Sequence, residues 1–316
     1  MAMTLTITEA AHAYGMDDFA TMAEPAQEVL TGAVISSANS WGAGVLPVDQ
    51  QGTVSVTTSG GFTQNLVMSV DLHGMVSIHT ISLVRTATGE TLVHAQGRVD
   101  GSLAVLASGD NAVLFAGNDT LRGNSHNNIL QGYGGNDMVD GGAGTDTYMA
   151  GMAQGASRVR KDGQTLVLES PGQVDTLVNV ERIRFDDGTL AFDMLGAAGQ
   201  AYRLYGAALN RLPDAQGLGF QVRALDSGLT LKQLAQNFLR SPEYQKVYGQ
   251  LDDAMFVTKI YGTVLHRPPD SAGLTYQTEA LKSGAVDRSQ LLVNFSESPE
   301  NQARMVGTVP DGIFFV

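Results

Sequence analysis

Between residues 114 and 149 an oxygen-bearing side chain returns at every ninth position: Asp119, Asn128, Asp137 and Asp146. Two residues before three of them stand Gly117, Gly135 and Gly144, with His126 in the remaining place. Carboxylates and amides at fixed spacing, beside glycines that tolerate φ > 0 and leave backbone carbonyls exposed, make a donor set for a hard cation.

Cut into nines, the segment reads "LFAGNDTLR", "GNSHNNILQ", "GYGGNDMVD" and "GGAGTDTYM", with Leu121, Leu130, Val139 and Tyr148 at the eighth place. Each unit predicts a tight turn followed by a very short strand that sends one apolar side chain inward. One such residue per nine cannot offset a backbone ordering cost of ~1 to 2 kcal/mol per residue, so a ligand must supply the rest. Calcium suits the turns, because it accepts carbonyl and carboxylate oxygens in a flexible geometry. A flexible Gly/Asn linker is the alternative, but a linker has no use for a recurring apolar eighth residue.

The four units resemble the G-G-x-G-x-D-x-U-x repeat of RTX proteins, where U is a large apolar residue. The resemblance implies a parallel β-roll whose turns alternate between two edges. Asp119 then partners Asp137, and Asn128 partners Asp146, around Ca2+ that also meets the turns of Gly117, Gly135 and Gly144. The second pair has one carboxylate instead of two and is expected to be the weaker site. The first unit lacks both leading glycines, and His126 and Asn128 depart from the pattern in the second, so two to three good positions are expected. With a dissociation constant of ~10⁻⁴ M, tenfold excess calcium adds ~1.4 kcal/mol per site, and micromolar calcium adds almost nothing. The roll is therefore expected to fold outside the cell. The following "DTLVNVERIRFDDGTLAFD" resembles the strand segment that closes such rolls.

The elements around this segment differ in texture. Residues 1 to 113 hold β-branched runs, "GTVSVTTSG", "NLVMSVDLHG", "MVSIHTISLV", "TLVHAQGRV" and "SLAVLASG", bounded by Gly, Asn or Asp, which predict an antiparallel β domain. Residues 114 to 194 form the roll and its flanking strands. From 195 to 304 the pattern is helical and repeats: "LYGAALNRLPDAQGLGFQVRAL" from Leu204 returns as "IYGTVLHRPPDSAGLTYQTEAL" from Ile260, and "NFLRSPE" returns as "NFSESPE". Asp214 and Asp270 are placed as N-caps, Gly228 and Gly284 as helix stops, and His266 matches Asn210 at a helix end. Residues 199 to 305 resemble the DUF4214 helical repeat, a domain commonly joined to RTX segments in bacterial secreted proteins. The expected class is a multidomain β plus α chain: an N-terminal antiparallel β domain, a parallel β-roll, and a C-terminal all-α repeat domain.

Composition narrows the partners. A formal charge of −13 and a pI near 4.7 argue against nucleic acid and favour cations. Cysteine is absent, and no run has the ~18 to 20 apolar residues of a membrane helix. The amino terminus has no basic start and no continuous apolar core, so it does not read as a signal peptide. RTX proteins typically leave through a type I channel with an uncleaved carboxy-terminal signal, and residues 305 to 316, "MVGTVPDGIFFV", are similar to such a tail; a core strand or a partner-binding strand is the alternative.

No H-E-x-x-H and no G-x-S-x-G is present, so no enzyme is expected. His73, His79 and His94 could converge as zinc ligands, although nothing accompanies them. Asp17-Asp18, Asp186-Asp187 and Asp252-Asp253 read as turn and cap residues. The expected function is a secreted, calcium-binding structural protein at the cell surface or outside the cell, which self-associates into a surface layer, filament or biofilm matrix. A monomeric adhesin for a carbohydrate or protein is the alternative, weakened for carbohydrate by the single Trp41, and a small hydrolase with an RTX tail comes third.

Overall fold

A computed structural model of the chain describes residues 2–7, 51–57, 62–70, 75–85, 91–102 and 306 as backbone, and residues 117–305, 309 and 311–316 more fully. Two compact units result, Met1–Asp187 and Gly188–Val316.

In the first unit, β1 (Ala2–Ile7), β2 (Gln51–Thr57), β3 (Phe62–Val70), β4 (Met75–Arg85) and β5 (Thr91–Ser102) precede the roll strands. The roll contributes β6 (Thr120–Arg122), β7 (Ile129–Leu130), β8 (Met138–Asp140) and β9 (Thr147–Met149). After it come β10 (Arg158–Asp162), β11 (Thr165–Ser170), β12 (Gln173–Val178) and β13 (Arg182–Phe185). The run β2-β3-β4-β5 is an antiparallel meander, matching the β-branched runs of the sequence. β1 was not expected as a strand. It lies antiparallel to β5 and parallel to β6, with Leu5 opposite Leu121, so one ten-stranded sheet runs β10-β11-β12-β8-β6-β1-β5-β4-β3-β2. The change of texture near residue 113 is consequently not a break between compact units, because β1 returns to pair with the first roll strand.

The roll strands alternate between two sheets. β6 is parallel to β8 and β7 is parallel to β9, each pair eighteen residues apart, two nonads. Their eighth-position side chains, Leu121, Leu130, Val139 and Tyr148, are all buried at 2% exposure or less. The rows continue past the repeats: Leu177 of β12 stands beside Val139, and Ile183 of β13 beside Tyr148, both fully buried. Six inward side chains thus share a core that four alone would leave open at one end. β10, at one end of the ten-stranded sheet, exposes Arg158, Arg160 and Lys161, charges that discourage further strand pairing there.

The second unit opens with β14 (Gly188–Ala191) and continues through α1 (Ala197–Leu209), α2 (Ala215–Asp226), α3 (Leu231–Arg240) and α4 (Pro242–Tyr248). Next come α5 (Asp253–Ile260), a π-helical turn Tyr261–Leu265, α6 (Ser271–Lys282), α7 (Arg288–Ser296), α8 (Pro299–Val306) and β15 (Ile313–Phe315). The caps fall where the sequence puts them. Asp214 accepts the Gly217 N–H and Asp270 the Gly273 N–H, both at 2.7 Å, while Asn210 and His266 close their helices with φ of 53° and 51°. Asp252 caps α5 through the Met255 N–H, and Asp186-Asp187 form a turn.

Each repeat carries the same packing unit. Tyr205 meets Phe238 edge-on at 5.1 Å beneath Arg211, which ion-pairs with Glu243; Tyr261 meets Phe295 at 4.9 Å beneath Arg267, which ion-pairs with Glu300. Both units feed one core that includes Leu204, Phe256, Ile260 and Leu291. The apolar tail is a strand of a second core in this unit. β15 pairs antiparallel with β14, Ile313 and Phe315 are buried against Ala191 and Leu218, and the Val316 N–H donates to the Ala215 carbonyl at 3.1 Å.

Candidate metal centre

The acidity of the chain is concentrated in its first unit. Eight Lys and Arg face twenty Asp and Glu up to Asp187, whereas the second unit has eleven against twelve. A cation is therefore a partner for the first unit in particular.

The parallel pairing of β6 with β8 stacks the turns that precede them. The Asp119 N–H donates to Asp137 Oδ1 at 2.8 Å, and on the other edge the Asn128 N–H donates to Asp146 Oδ1 at 2.7 Å. The two pairs expected from spacing are brought together. A row of amides runs alongside: Asn136 N–H donates to Asn118 Oδ1, and Thr145 N–H to Asn127 Oδ1, each at 2.8 Å.

Both stacks have a further rung that the nine-residue spacing does not reveal. The Asp137 N–H donates to Asp175 Oδ1 at 3.1 Å, and the Asp146 N–H donates to Glu181 Oε2 at 2.8 Å. Asp175-Thr176-Leu177 and Glu181-Arg182-Ile183 repeat the acid-x-apolar ending of the nonads, which was the available signal. The hairpin of β10 and β11 interrupts the spacing and hides it. Tyr148 ties the edges together, since its ring fills the core and its hydroxyl donates to Asp175 Oδ2 at 2.9 Å.

Asp119, Asp137 and Asp175 are 3%, 2% and 0% exposed, and Asp146 is fully buried. Burying carboxylates is costly unless a cation or donors compensate. Asp137 Oδ2 is buried with no hydrogen-bond partner among the described residues. Burial, reinforced by the charges of Asp175 and Asp119, pushes the Asp137 carboxyl from its ordinary 3.8 up to about 7, against the lowering effect of the Asp119 N–H. Burial likewise raises Asp175, and raises the Tyr148 hydroxyl with help from the neighbouring carboxylates.

The glycines make the space. A Cβ on Gly132 would lie 1.8 Å from Asp137 Oδ2, and one on Gly135, where φ is +111°, would lie 1.9 Å from the Gly117 carbonyl oxygen. Only glycine lets one turn come this close to the next. Gly144 holds a φ of +127° over the backbone of His126. The second turn is closed differently, by its own amides: Asn124 N–H donates to Asn128 Oδ1 at 2.8 Å and His126 N–H donates to Asn124 Oδ1 at 2.9 Å. Side chains there replace the missing glycine and occupy the Asn128 oxygen.

Among the described residues no three His, Cys, Asp or Glu side chains converge closely enough to hold a metal ion by themselves. The carboxylates are arranged as rungs, a pattern suited to an ion that takes carbonyl oxygens for much of its shell. His73 lies outside the described residues, and of His79 and His94 only the backbone is described, in β4 and β5.

Comparison with known proteins agrees with the geometry. Residues 115–148 match the family model of the RTX calcium-binding nonapeptide repeat, in four copies. These residues are RTX calcium-binding repeats. The ion for which the roll is built is Ca2+. Residues 235–305 match the model of DUF4214, a domain of unknown function. Among solved structures, extracellular lipase LipA from Serratia marcescens is similar at 26% identity with a TM-score of 0.15, over 22% of this chain and 13% of that one. A search of curated proteins returned no match. No helix among the described residues is long and apolar enough to cross a membrane.

The donor set of the RTX roll fits calcium. Asp119, Asp137 and Asp175 would hold it on one edge and Asp146 and Glu181 on the other, where the Asn128 oxygen is already taken by the Asn124 N–H, beside the turns of Gly117, Gly135 and Gly144. Calcium supplies positive charge that offsets the mutual repulsion of these rungs. The chain's own residues supply register through the N–H to carboxylate bonds, and they exclude water through the six-residue core.

Proposed function

We propose that this is a secreted, non-catalytic calcium-binding structural protein whose RTX roll folds on meeting extracellular calcium and then supports self-association at the cell surface or in an extracellular matrix. What carries it is the stack of buried carboxylates Asp119, Asp137 and Asp175, in which Asp137 Oδ2 is buried with no hydrogen-bond partner among the described residues. The β-rich first unit is the associating part. Its charged β10 end disfavours growth there, which leaves the β2 end of the sheet for pairing with a neighbour. Export proceeds through a type I channel with residues 305–316 as signal, read before β15 folds against β14. Light scattering during titration from chelator into millimolar calcium tests the proposal. Large, chelator-reversible particles are expected; a monomer that folds but never associates would shift the function to a monomeric binding module. Deleting residues 305–316 should abolish export, and undiminished export refutes the signal.

A further inference from the structure

The two helical repeats pack against each other through equivalent positions. Ala207 and Thr263 occupy equivalent positions and touch each other, the Thr263 hydroxyl donating to the Ala207 carbonyl at 3.3 Å. Two grooves are lined in part by equivalent residues, one of about 330 Å³ and one of about 630 Å³. Their difference is chemical. In the smaller groove Arg203 is 4% exposed and forms a two-pronged pair with Glu297, while its Nη1 also reaches Met305 Sδ at 3.4 Å. Arg304 lies across the same groove and donates to the Val264 carbonyl at 3.1 Å. This groove is narrowed by its own side chains.

In the larger groove every filling group is exchanged. Lys259 takes the place of Arg203, and Tyr248 takes that of Met305, with the Lys259 ammonium 4.6 Å from the Tyr248 ring centre. Val247 replaces Arg304 and leaves the space open. At the position of Glu297 stands Arg240, an exposed cation, so the internal carboxylate is replaced by like charge. Among the described residues neither Lys259 nor Arg240 has an ion-pair partner, and the buried Tyr248 hydroxyl has no hydrogen-bond partner. Apolar surface adjoins them, with Val247 57% and Met255 55% exposed. Asp252, at the rim, is engaged as the cap of α5.

We propose that the larger groove, formed by Asn210, Val247, Tyr248, Met255 and Lys259, docks an acidic peptide segment of a partner protein, its carboxylate side chain on Lys259 and Arg240 and its flanking apolar residues on Val247 and Met255. The twin groove supplies the template, because there Glu297 provides from within the carboxylate that the open groove takes from outside. A peptide fits better than an acidic polysaccharide, since the walls beside the cations are aliphatic and hydroxyl-rich chains gain little from them. The helical unit itself is nearly neutral, with eleven Lys and Arg against twelve Asp and Glu.

The test uses the full calcium-loaded chain and fluorescence anisotropy of labelled acetyl-Leu-Glu-Leu-amide. The Leu-Gln-Leu analogue should bind about tenfold more weakly, as expected for loss of a charge-assisted contact. Lys259→Met should weaken Leu-Glu-Leu binding by a similar factor. Arg240→Glu rebuilds the internal pair of the twin groove; it should abolish binding and raise the melting temperature of the helical unit. Because Arg240 is exposed, that variant tests the proposal even where Lys259→Met folds poorly. Equal binding of the Glu and Gln peptides, unchanged binding in Arg240→Glu, or capture of oligogalacturonate in preference to the peptide would each overturn it.

Discussion

Replacing Asp137 by asparagine should move stability in opposite directions with and without calcium. Asp137 is the middle rung of its stack, 2% exposed, accepting one N–H from Asp119 and giving its own to Asp175. Its folded value of about 7 stands above the ordinary 3.8, so in chelator the protonated form supports the fold. That contribution is complete below the unfolded value and is lost as pH rises through about 7. The displacement corresponds to an upper bound on the order of 4 kcal/mol above that pH, reduced by any relaxation of the loop. Asparagine keeps the oxygen that receives the Asp119 N–H and removes the charge. In chelator above about pH 8 the Asp137→Asn roll should therefore be more stable than the parent, and its stability should lose the rise on acidification that the parent shows. In millimolar calcium it should be less stable, by ~1.4 kcal/mol for each site that depended on the carboxylate at tenfold excess ion. Urea unfolding followed by far-UV circular dichroism, at two pH values with and without chelator, reads all four conditions. A variant that destabilises equally with and without calcium, or changes neither, would refute the charge-stack reasoning.

Other outcomes are expected. Leu130→Ala removes a fully buried side chain from a core of six and should cost about 2 to 4 kcal/mol, visible as a higher calcium concentration needed for folding. Glu297→Gln leaves the buried Arg203 guanidinium without its carboxylate and should cost about 3 kcal/mol in thermal unfolding of the helical unit, with no change in calcium binding. Asp214→Ala and Asp270→Ala each remove one cap bond and should cost about 1 kcal/mol; the double variant should sum them in chemical unfolding, as separate sites do.

Much of this molecule is legible in one dimension. The nine-residue period, with an apolar eighth place and an oxygen donor at the sixth, determines turn, strand and core row, because each nonad uses only local geometry. The eighteen-residue pairing of Asp119 with Asp137 and Asn128 with Asp146 follows once the turns alternate. The caps of the helical repeats are equally local, since Asp214 and Asp270 need only a free N–H three residues on.

What only the tertiary structure decided are contacts between segments whose separation in sequence carries no period. Asp175 and Glu181 join the calcium stacks across the β10–β11 hairpin, and β1 pairs with β6 more than a hundred residues away. The open groove at Lys259 is of the same kind. The sequence displays Arg203, Lys259, Arg240 and Glu297 as ordinary charges, and only the packing of the repeats reveals that Arg203 and Glu297 neutralise each other while Lys259 lies over the Tyr248 ring. Local rules fix which conformation each residue adopts, but charge balance in a fold depends on which distant residue arrives opposite, and that is set by packing.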